Sequence, residues 1–264
     1  MADKIYIIKI GGNILDDENK LLSFLDHFAK IRERKILVHG GGKLATQMAE
    51  RLHIPQKLVE GRRITDGETL KIVTMVYGGW INKNLVAHLQ ARGCDAIGLC
   101  GADGNIIRAH KRIHQTIDYG FAGDIDQINT ERLKQWIDLS MVPVVSPITH
   151  NGNGQLLNTN ADTVAYQVGR ALSAWYEVSL VYTFEKKGVM LDVNDDGSMI
   201  SEIWPAYYAQ LKAEGRIYEG MIPKIDNAFA ALTGGVKEVI IGQAEQLPGI
   251  IANRAGTKIT NEKS

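Results

Sequence analysis

The sequence contains only two cysteines, Cys94 and Cys100, and they do not form a Cys-x-x-Cys pair. A disulfide framework and a thiolate metal site are therefore excluded, and the chain suits a reducing compartment. No apolar run reaches the roughly 18 residues that a membrane-spanning helix needs, and the apolar stretch near Met1 is too short for a signal peptide. We therefore expect a cytoplasmic protein without a membrane partner.

The charges balance, because 30 Lys and Arg against 30 Asp and Glu give a formal net charge of zero. Without a global basic field the chain is not expected to bind nucleic acid, so any anion site must be local. The sequence has no Gly-x-x-x-x-Gly-Lys-Ser/Thr, Gly-x-Ser-x-Gly or His-Glu-x-x-His motif, which removes a P-loop and the commonest serine-hydrolase and zinc-protease signatures. Its seven histidines are scattered, and none is expected to bind a metal ion.

Glycine is abundant instead, with 27 of 264 residues, about a tenth against an average near 7 %. Strand-like Ile and Val runs alternate with helix-like segments, a pattern that predicts crossover units in a mainly parallel sheet. Two prolines predict that residues 142–148 lie at the edge or end of their ladder, and Asp103-Gly104 indicates a hairpin. The sequence has no repeat and no low-complexity linker, so we expect two lobes that share one sheet. Expected strands cover residues 5–10, 36–38, 96–99, 178–183 and 236–241, and expected helices cover 43–52, 161–172 and 224–232.

Two of these strands end in glycine clusters, Lys9-Ile10-Gly11-Gly12 and His39-Gly40-Gly41-Gly42. At the carboxyl ends of parallel strands, glycines let backbone N–H groups and helix N-termini approach an anion closely. Either cluster alone is equally typical of a tight turn, but the two together with Lys9 favour a phosphate site. Residues 40–45 also fit the Gly-x-Gly-x-x-Gly/Ala dinucleotide fingerprint, with Glu60 about twenty residues on. An NAD(P)-dependent oxidoreductase that uses Gly40 to Ala45 therefore stays open as an alternative.

Two further segments place polar or charged side chains at predicted helix starts. Asn158-Thr159-Asn160-Ala161-Asp162 supplies two amides and a carboxylate, although Asn160 and Asp162 are also ordinary capping residues. Lys224 lies just inside a later helix start, where a cation opposes the helix dipole. Because that position is unfavourable for stability alone, it indicates an anionic partner.

Seven motifs, in order and over nearly the whole chain, resemble those of the N-acetyl-L-glutamate kinases, a branch of the amino acid kinase family. The glycine clusters are shared with aspartate, carbamate and UMP kinases, whereas the Arg63 turn and the Gly-Phe-Ala-Gly and Met-Ile-Pro-Lys segments are specific to this branch. The motifs are Lys9 with Gly11-Gly12, His39-Gly40-Gly41-Gly42, Gly61-Arg62-Arg63-Ile64-Thr65-Asp66, Gly98-Leu99-Cys100-Gly101-Ala102-Asp103-Gly104, Tyr119-Gly120-Phe121-Ala122-Gly123-Asp124-Ile125, Asn158-Thr159-Asn160-Ala161-Asp162 and Gly220-Met221-Ile222-Pro223-Lys224.

The resemblance implies a three-layer αβα sandwich with an open, mainly parallel central sheet. It implies that an N-lobe, about residues 1–174, binds the amino-acid substrate and that a C-lobe, about 175–264, binds ATP. The implied reaction transfers the γ-phosphoryl group of MgATP to the side-chain carboxylate of N-acetyl-L-glutamate, the second step of arginine biosynthesis. The resemblance implies that Lys9 contacts the transferring phosphoryl group, that Lys224 contacts the nucleotide phosphates, and that Asp162 orients both lysines. It also implies that Arg63 and Asn158 bind the substrate α-carboxylate. Backbone N–H donors are implied at Gly11, Gly12, Gly41 and Gly42.

Elementary chemistry agrees with this assignment. A glutamate side chain has a reference pKa near 4.3, so at neutral pH the nucleophile is already ionised and needs no general base. The remaining difficulty is bringing one anion onto another. Catalysis should therefore come from in-line positioning and from cations and amide dipoles around the transferring group.

Three departures from the family pattern carry expectations of their own. Arg62 stands where most of the family has Leu near the acyl group, so either a solvated arginine or an N-succinyl-L-glutamate substrate is possible there. Residues 183–188, Thr-Phe-Glu-Lys-Lys-Gly, replace the usual loop near the nucleotide, which leaves the base and ribose contacts open. The chain begins directly at its first strand, whereas arginine-inhibited members have an extra N-terminal helix, so we expect no arginine inhibition and a homodimer rather than a hexamer.

Besides the kinase and the oxidoreductase, a third hypothesis for the function is a regulatory binding module without turnover. It is disfavoured because binding alone would not demand both lysines and Asp162.

Overall fold

The computed structural model describes residues 3–59, 62–192, 194–217 and 221–263. Glu60, Gly61 and Gly220, which the sequence analysis used, lie outside these ranges. The strands are β1 (Lys4–Ile10), β2 (Arg34–His39), β3 (Lys57–Val59), β4 (Arg62–Ile64), β5 (Ala96–Leu99), β6 (Ile107–Lys111), β7 (Gly123–Ile128), β8 (Val142–Val145), β9 (Ile148–His150), β10 (Leu156–Asn158), β11 (Glu177–Phe184), β12 (Glu202–Ile203), β13 (Glu238–Gln243) and β14 (Thr257–Ile259). The α-helices are α1 (Gly12–Leu15), α2 (Glu18–Ala29), α3 (Gly42–Arg51), α4 (Gly67–Val73), α5 (Asn82–Gln90), α6 (Thr130–Asp138), α7 (Ala161–Leu172), α8 (Pro205–Ala213), α9 (Ile222–Thr233) and α10 (Leu247–Ile251).

An eight-stranded sheet runs through both halves of the chain in the order β12-β14-β13-β11-β1-β2-β8-β5. Each neighbouring pair is parallel except β13 and β14. The β1 strand lies near the middle because its sequence is an almost uninterrupted apolar run, which suits a strand covered on both faces. The predicted mainly parallel sheet shared by both halves is confirmed.

Helices cover both faces of this sheet. Along β1, Ile5 and Ile7 enter one hydrophobic core while Tyr6, Ile8 and Ile10 enter the other, as the two-residue period of a strand requires. The first core is completed by α6, α7, α8 and α9, and the second by α2, α3, α4, α5 and α10. The three-layer αβα sandwich is therefore confirmed. None of the helices in the described residues is long and apolar enough to cross a membrane.

One long helical segment changes its winding part-way. Asp66 caps α4 by accepting a hydrogen bond from the Thr69 backbone N–H. Between α4 and α5 the chain continues as a π-helix, Thr74–Ile81. Wider π-helical turns are rare and frequently occur at functional sites, and this one borders a glycine turn described below.

The predicted edge position of residues 142–148 is wrong, whereas the alternative, prolines at the end of the ladder, holds for the pairing with β2. The β8 strand, which contains Pro143, is not at an edge but lies between β2 and β5. Its ladder with β2 begins at Val144, after the proline, so the missing N–H interrupts nothing there, and Pro147 follows the end of the strand. Asp103-Gly104 forms a 3₁₀ turn instead of a hairpin, because the strands on either side of it belong to different sheets.

Candidate active site

The ion pair between Lys9 and Asp162 marks the carboxyl edge of the large sheet. Lys9 is the penultimate residue of β1, its side chain is 12 % exposed, and its Nζ lies 2.8 Å from Asp162 Oδ1. Asp162 lies in the first turn of α7, where the Asn160 side chain caps the helix by accepting from two backbone N–H groups. The Tyr182 hydroxyl, on neighbouring β11, donates to the Asp162 carbonyl oxygen at 3.2 Å. Two strands and a helix cap therefore hold this pair in place.

Both predicted glycine turns lie beside it. Gly11 and Gly12 join β1 to α1, and residues 40–42 join β2 to α3. Gly41 has φ +144°, and a Cβ added there would lie 2.2 Å from the Ile81 side chain. The second turn therefore requires glycine on both conformational and steric grounds.

Arg63 and Asn158 lie on two smaller sheets, the two-stranded β3-β4 sheet and the four-stranded β10-β9-β6-β7 sheet, and Arg63 reaches the second glycine turn. The Arg63 guanidinium donates to the Gly42 carbonyl oxygen and to Thr46 Oγ1, each at 2.9 Å, and also to the Gln56 side chain. The Asn158 amide, at the end of β10, donates to Thr65 Oγ1 at 3.0 Å. Long-range contacts thus fix two side chains that lie far apart in the sequence.

These residues surround a cavity of about 260 Å³, here called the first cavity. Arg62 is exposed and also lines it, as does an ion pair in which Arg112 Nε lies 3.1 Å from both carboxylate oxygens of Asp124. The cavity therefore offers backbone amides at one set of positions and three guanidinium groups at others. Its lining includes Lys9, Gly12, Gly40, Gly41, Gly42, Arg62, Arg63, Tyr77, Arg112, Asp124 and Asn158.

A second cavity of about 580 Å³ lies on the side of β11 and β13. Lys224, in the first turn of α9, lines it, and its Nζ sits 3.7 Å from the centroid of the Phe184 ring. Burial lowers the pKa of Lys224, and the nearby charge of Lys9 lowers it further, while Asp162 and Glu185 oppose the shift. The lining of this cavity includes Lys9, Gly11, Gly12, Lys20, Asp162, Phe184, Glu185, Met190, Met221, Lys224, Gln243 and Glu245.

The two cavities share Lys9 and Gly12. An anion that enters from the side of β11 and one that enters from the side of β10 would therefore meet beside the same ammonium group. Lys9, Asp162 and Lys224 line the second cavity. Arg63, Asn158 and the second glycine turn line the other.

Comparison with known proteins decides the family. Residues 4–243 match the amino acid kinase family. The chain belongs to that family. It is 52 % identical over 259 residues to the acetylglutamate kinase of Bacteroides thetaiotaomicron, covering 98 % of this chain and 99 % of that one. It is 54 % identical over 259 residues to the acetylglutamate kinase of Cytophaga hutchinsonii, covering 97 % and 98 %.

A solved structure shares the amino acid kinase architecture. The protein smu.665 from Streptococcus mutans UA159 superposes with a TM-score of 0.76 at 25 % identity, covering 98 % of this chain and 99 % of that one. The nicotinamide-dependent oxidoreductase that residues 40–45 left open receives no support from these relatives. Those residues form the second glycine turn of an amino acid kinase.

Sequence reasoning missed several side chains of this site. Tyr77 lines the first cavity from the π-helix, and Arg112 and Asp124 line it as a pair from the smaller sheet. Tyr182 supports Asp162, and burial raises the pKa of its phenol, so the hydroxyl stays neutral and donates. Asp124 lies inside a recognised motif and could have been noticed. Tyr77 and Arg112 had no local signal, because winding and sheet pairing bring them to the cavity.

Proposed function

We propose that this chain is an acetylglutamate kinase, which phosphorylates the side-chain carboxylate of N-acetyl-L-glutamate with ATP in the second step of arginine biosynthesis. The observation that carries the proposal is the meeting of the two cavities at Lys9 and Gly12. Phosphoryl transfer needs a donor and an acceptor in line, with cations at the point between them. The relatives named acetylglutamate kinase match this chain over nearly its whole length, which supports the same acceptor.

In this proposal the acyl glutamate occupies the first cavity. Its α-carboxylate binds Arg63 and Asn158, and its side-chain carboxylate points toward Lys9 between the two glycine turns. The nucleophile is already ionised at neutral pH, so no general base is required. Backbone amides at Gly11, Gly12, Gly41 and Gly42 and the Lys9 ammonium then face the charge that spreads over the transferring group. The lobe that ends near residue 174 thus holds the amino acid.

ATP occupies the second cavity, in the part of the chain from about residue 175 onward. Lys224 would contact the nucleotide phosphates, and Asp162, whose carboxylate is paired with Lys9, would orient both lysines. Mg²⁺ prefers phosphate oxygens, water and one or two carboxylates, and within the described residues no cluster of three acidic, His or Cys side chains forms a metal cage. The residues present therefore fit a Mg²⁺ ion that enters together with the nucleotide. Such an ion would offset the negative charge of the phosphates. Asp162, Glu185 and Glu245 are the carboxylates of that cavity.

The acyl end of the substrate is assigned to the part of the first cavity that contains Arg62. Asp124 pairs with Arg112, the substrate α-carboxylate would bind Arg63, and within the part of the chain that the structure describes no carboxylate forms an ion pair with Arg62. We therefore assign acyl-group specificity to Arg62. The named relatives support N-acetyl-L-glutamate, and they give no support to N-succinyl-L-glutamate.

Hydroxylamine trapping tests the reaction directly. Incubating the protein with MgATP, N-acetyl-L-glutamate and hydroxylamine should yield the hydroxamate of an acyl phosphate, and omitting the acyl amino acid should abolish it. The Lys71→Ala variant is a control for substitutions of the site lysines and should give the same hydroxamate yield as the parent, because Lys71 is an exposed lysine on α4 that pairs with Glu68. ATP hydrolysis without hydroxamate, or no turnover at all, would refute the proposed function.

Two coarser expectations belong with this proposal. We expect a homodimer, which sedimentation velocity at micromolar protein concentration would check against a monomer mass of 29.1 kDa. We also expect the protein in the cytoplasm, since all of its proposed ligands are small metabolites of that compartment. Fractionation of cells that produce it would check the second point.

A further inference from the structure

Phe184 ends β11 inside the second cavity, in the segment where this chain departs from the family pattern. Its backbone is paired in register with Gln243 of β13, and the preceding residue, Thr183, donates from Oγ1 to the Lys9 carbonyl oxygen at 3.1 Å. The ring is partly buried against the first hydrophobic core. The sheet therefore holds the backbone of Phe184, and its ring packs against the first core.

The Phe184 ring contacts the Lys224 ammonium group, whose position is unfavourable for a cation. Lys224 lies in the first turn of α9, where the helix dipole disfavours a cation, and it is partly buried near Lys9. Its Nζ nevertheless lies over the Phe184 face at 3.7 Å from the centroid. A cation over a partly desolvated aromatic face is stabilised by the ring quadrupole.

We propose that Phe184 is a positioning residue that holds the Lys224 ammonium at the phosphate end of the nucleotide cavity. This inference rests on the proposed function, since it assumes that nucleotide phosphates are the anion that Lys224 meets.

The use of a ring instead of a carboxylate has a physical consequence. A carboxylate at residue 184 would form a salt bridge with Lys224, and incoming phosphates would have to compete with it. An aromatic face holds the ammonium while leaving its charge unneutralised. The positive charge of Lys224 thus stays available to the nucleotide, whereas the charge of Lys9 is already paired with Asp162.

Three substitutions at residue 184 distinguish the contribution of the aromatic face from that of an apolar side chain of similar size. Phe184→Leu keeps an apolar side chain but removes the π system, whereas Phe184→Tyr and Phe184→Trp keep an aromatic face. We expect Phe184→Leu to lower kcat/KM for ATP by about tenfold, in line with a partly desolvated cation–π contact. The Tyr variant should stay within about twofold of the parent. The KM for N-acetyl-L-glutamate should change little in all three, because Phe184 does not line the first cavity.

A nucleotide-free measurement reads the contact itself. Reductive ¹³C-methylation of the lysines, with the Lys224 resonance assigned through Lys224→Arg, should show an upfield ring-current shift that Phe184→Leu abolishes and Phe184→Tyr retains. A Lys224 resonance that is the same in the Leu variant, or a Tyr variant as impaired as the Leu variant, would overturn the inference. Absence of phosphoryl transfer to N-acetyl-L-glutamate would instead refute the proposed function, and the ring-current result would stand by itself.

Discussion

The imidazole of His39 couples the second glycine turn to pH. It is fully buried, and its Nδ1 lies 2.9 Å from the Gly40 carbonyl oxygen, so Nδ1 carries the hydrogen and donates. Its Nε2 then accepts from Asn82 Nδ2 at 3.1 Å, and the same amide donates to the Val144 carbonyl oxygen. Lys83 donates to Asn82 Oδ1 at 3.1 Å, which prevents the amide from turning its oxygen toward the ring. A second ring proton would face a donor.

This arrangement lowers the pKa of His39 from 6.5 to about 4, chiefly through burial and also through the Lys83 charge. Between these two pKa values the unfolded chain therefore binds a proton on His39 that the folded chain does not bind. The contribution of His39 to the free energy of unfolding is fully present above about pH 6.5 and is lost progressively as the pH falls toward 4. Linkage over that window predicts a loss of about 2 kcal/mol between roughly pH 7 and pH 5, rising to about 3 kcal/mol near pH 4.

Urea unfolding at a series of pH values measures this loss. The His39→Gln variant cannot take up the proton. Its free energy of unfolding should be lower than that of the parent at neutral pH, but its decrease between pH 7 and pH 5 should be about 2 kcal/mol smaller than the decrease in the parent. His114→Gln, which removes an exposed histidine, is the matched control and should behave as the parent does. Equal pH dependence in the parent and in His39→Gln would show that the reasoning is wrong.

Four further substitutions test the site. Lys9→Ala and Lys224→Ala should each lower kcat by roughly 10²–10³ by analogy with the loss of one preorganised donor, and a change under about tenfold in both, from steady-state assays, would contradict their roles. Arg62→Leu should lower kcat/KM for N-succinyl-L-glutamate relative to N-acetyl-L-glutamate by about tenfold, since a charged hydrogen bond is lost; an unchanged ratio removes Arg62 from acyl selection. Gly41→Ala should cost about 1–3 kcal/mol in urea unfolding, because its Cβ would meet Ile81. Gly67→Ala, with open space around it, is the control, and equal stabilities would contradict the steric argument.

Local signals were sufficient wherever the chemistry of a segment is local. The apolar run of β1 predicted a buried parallel strand, because such a strand must be covered on both faces. Strand ends followed by glycine predicted the two glycine turns, and Asn160 before an apolar-periodic stretch predicted the start of α7. These features depend on neighbours in sequence, which a single sequence shows. The ordered motifs also indicated the kinase family.

Other features depend on pairing between distant segments. The interior place of β8 could not be read from its prolines, because it depends on the register of β8 against β2, in which the ladder begins after Pro143. Pairing of β6 with β7 brings Arg112 to Asp124. The π-helix brings Tyr77 to the second glycine turn, and Lys224 of α9 lies on Phe184 of β11. The residues that could meet an anion were therefore set by sequence. Which of them lie together was decided by tertiary structure, since only packing brings the two cavities to a shared lysine.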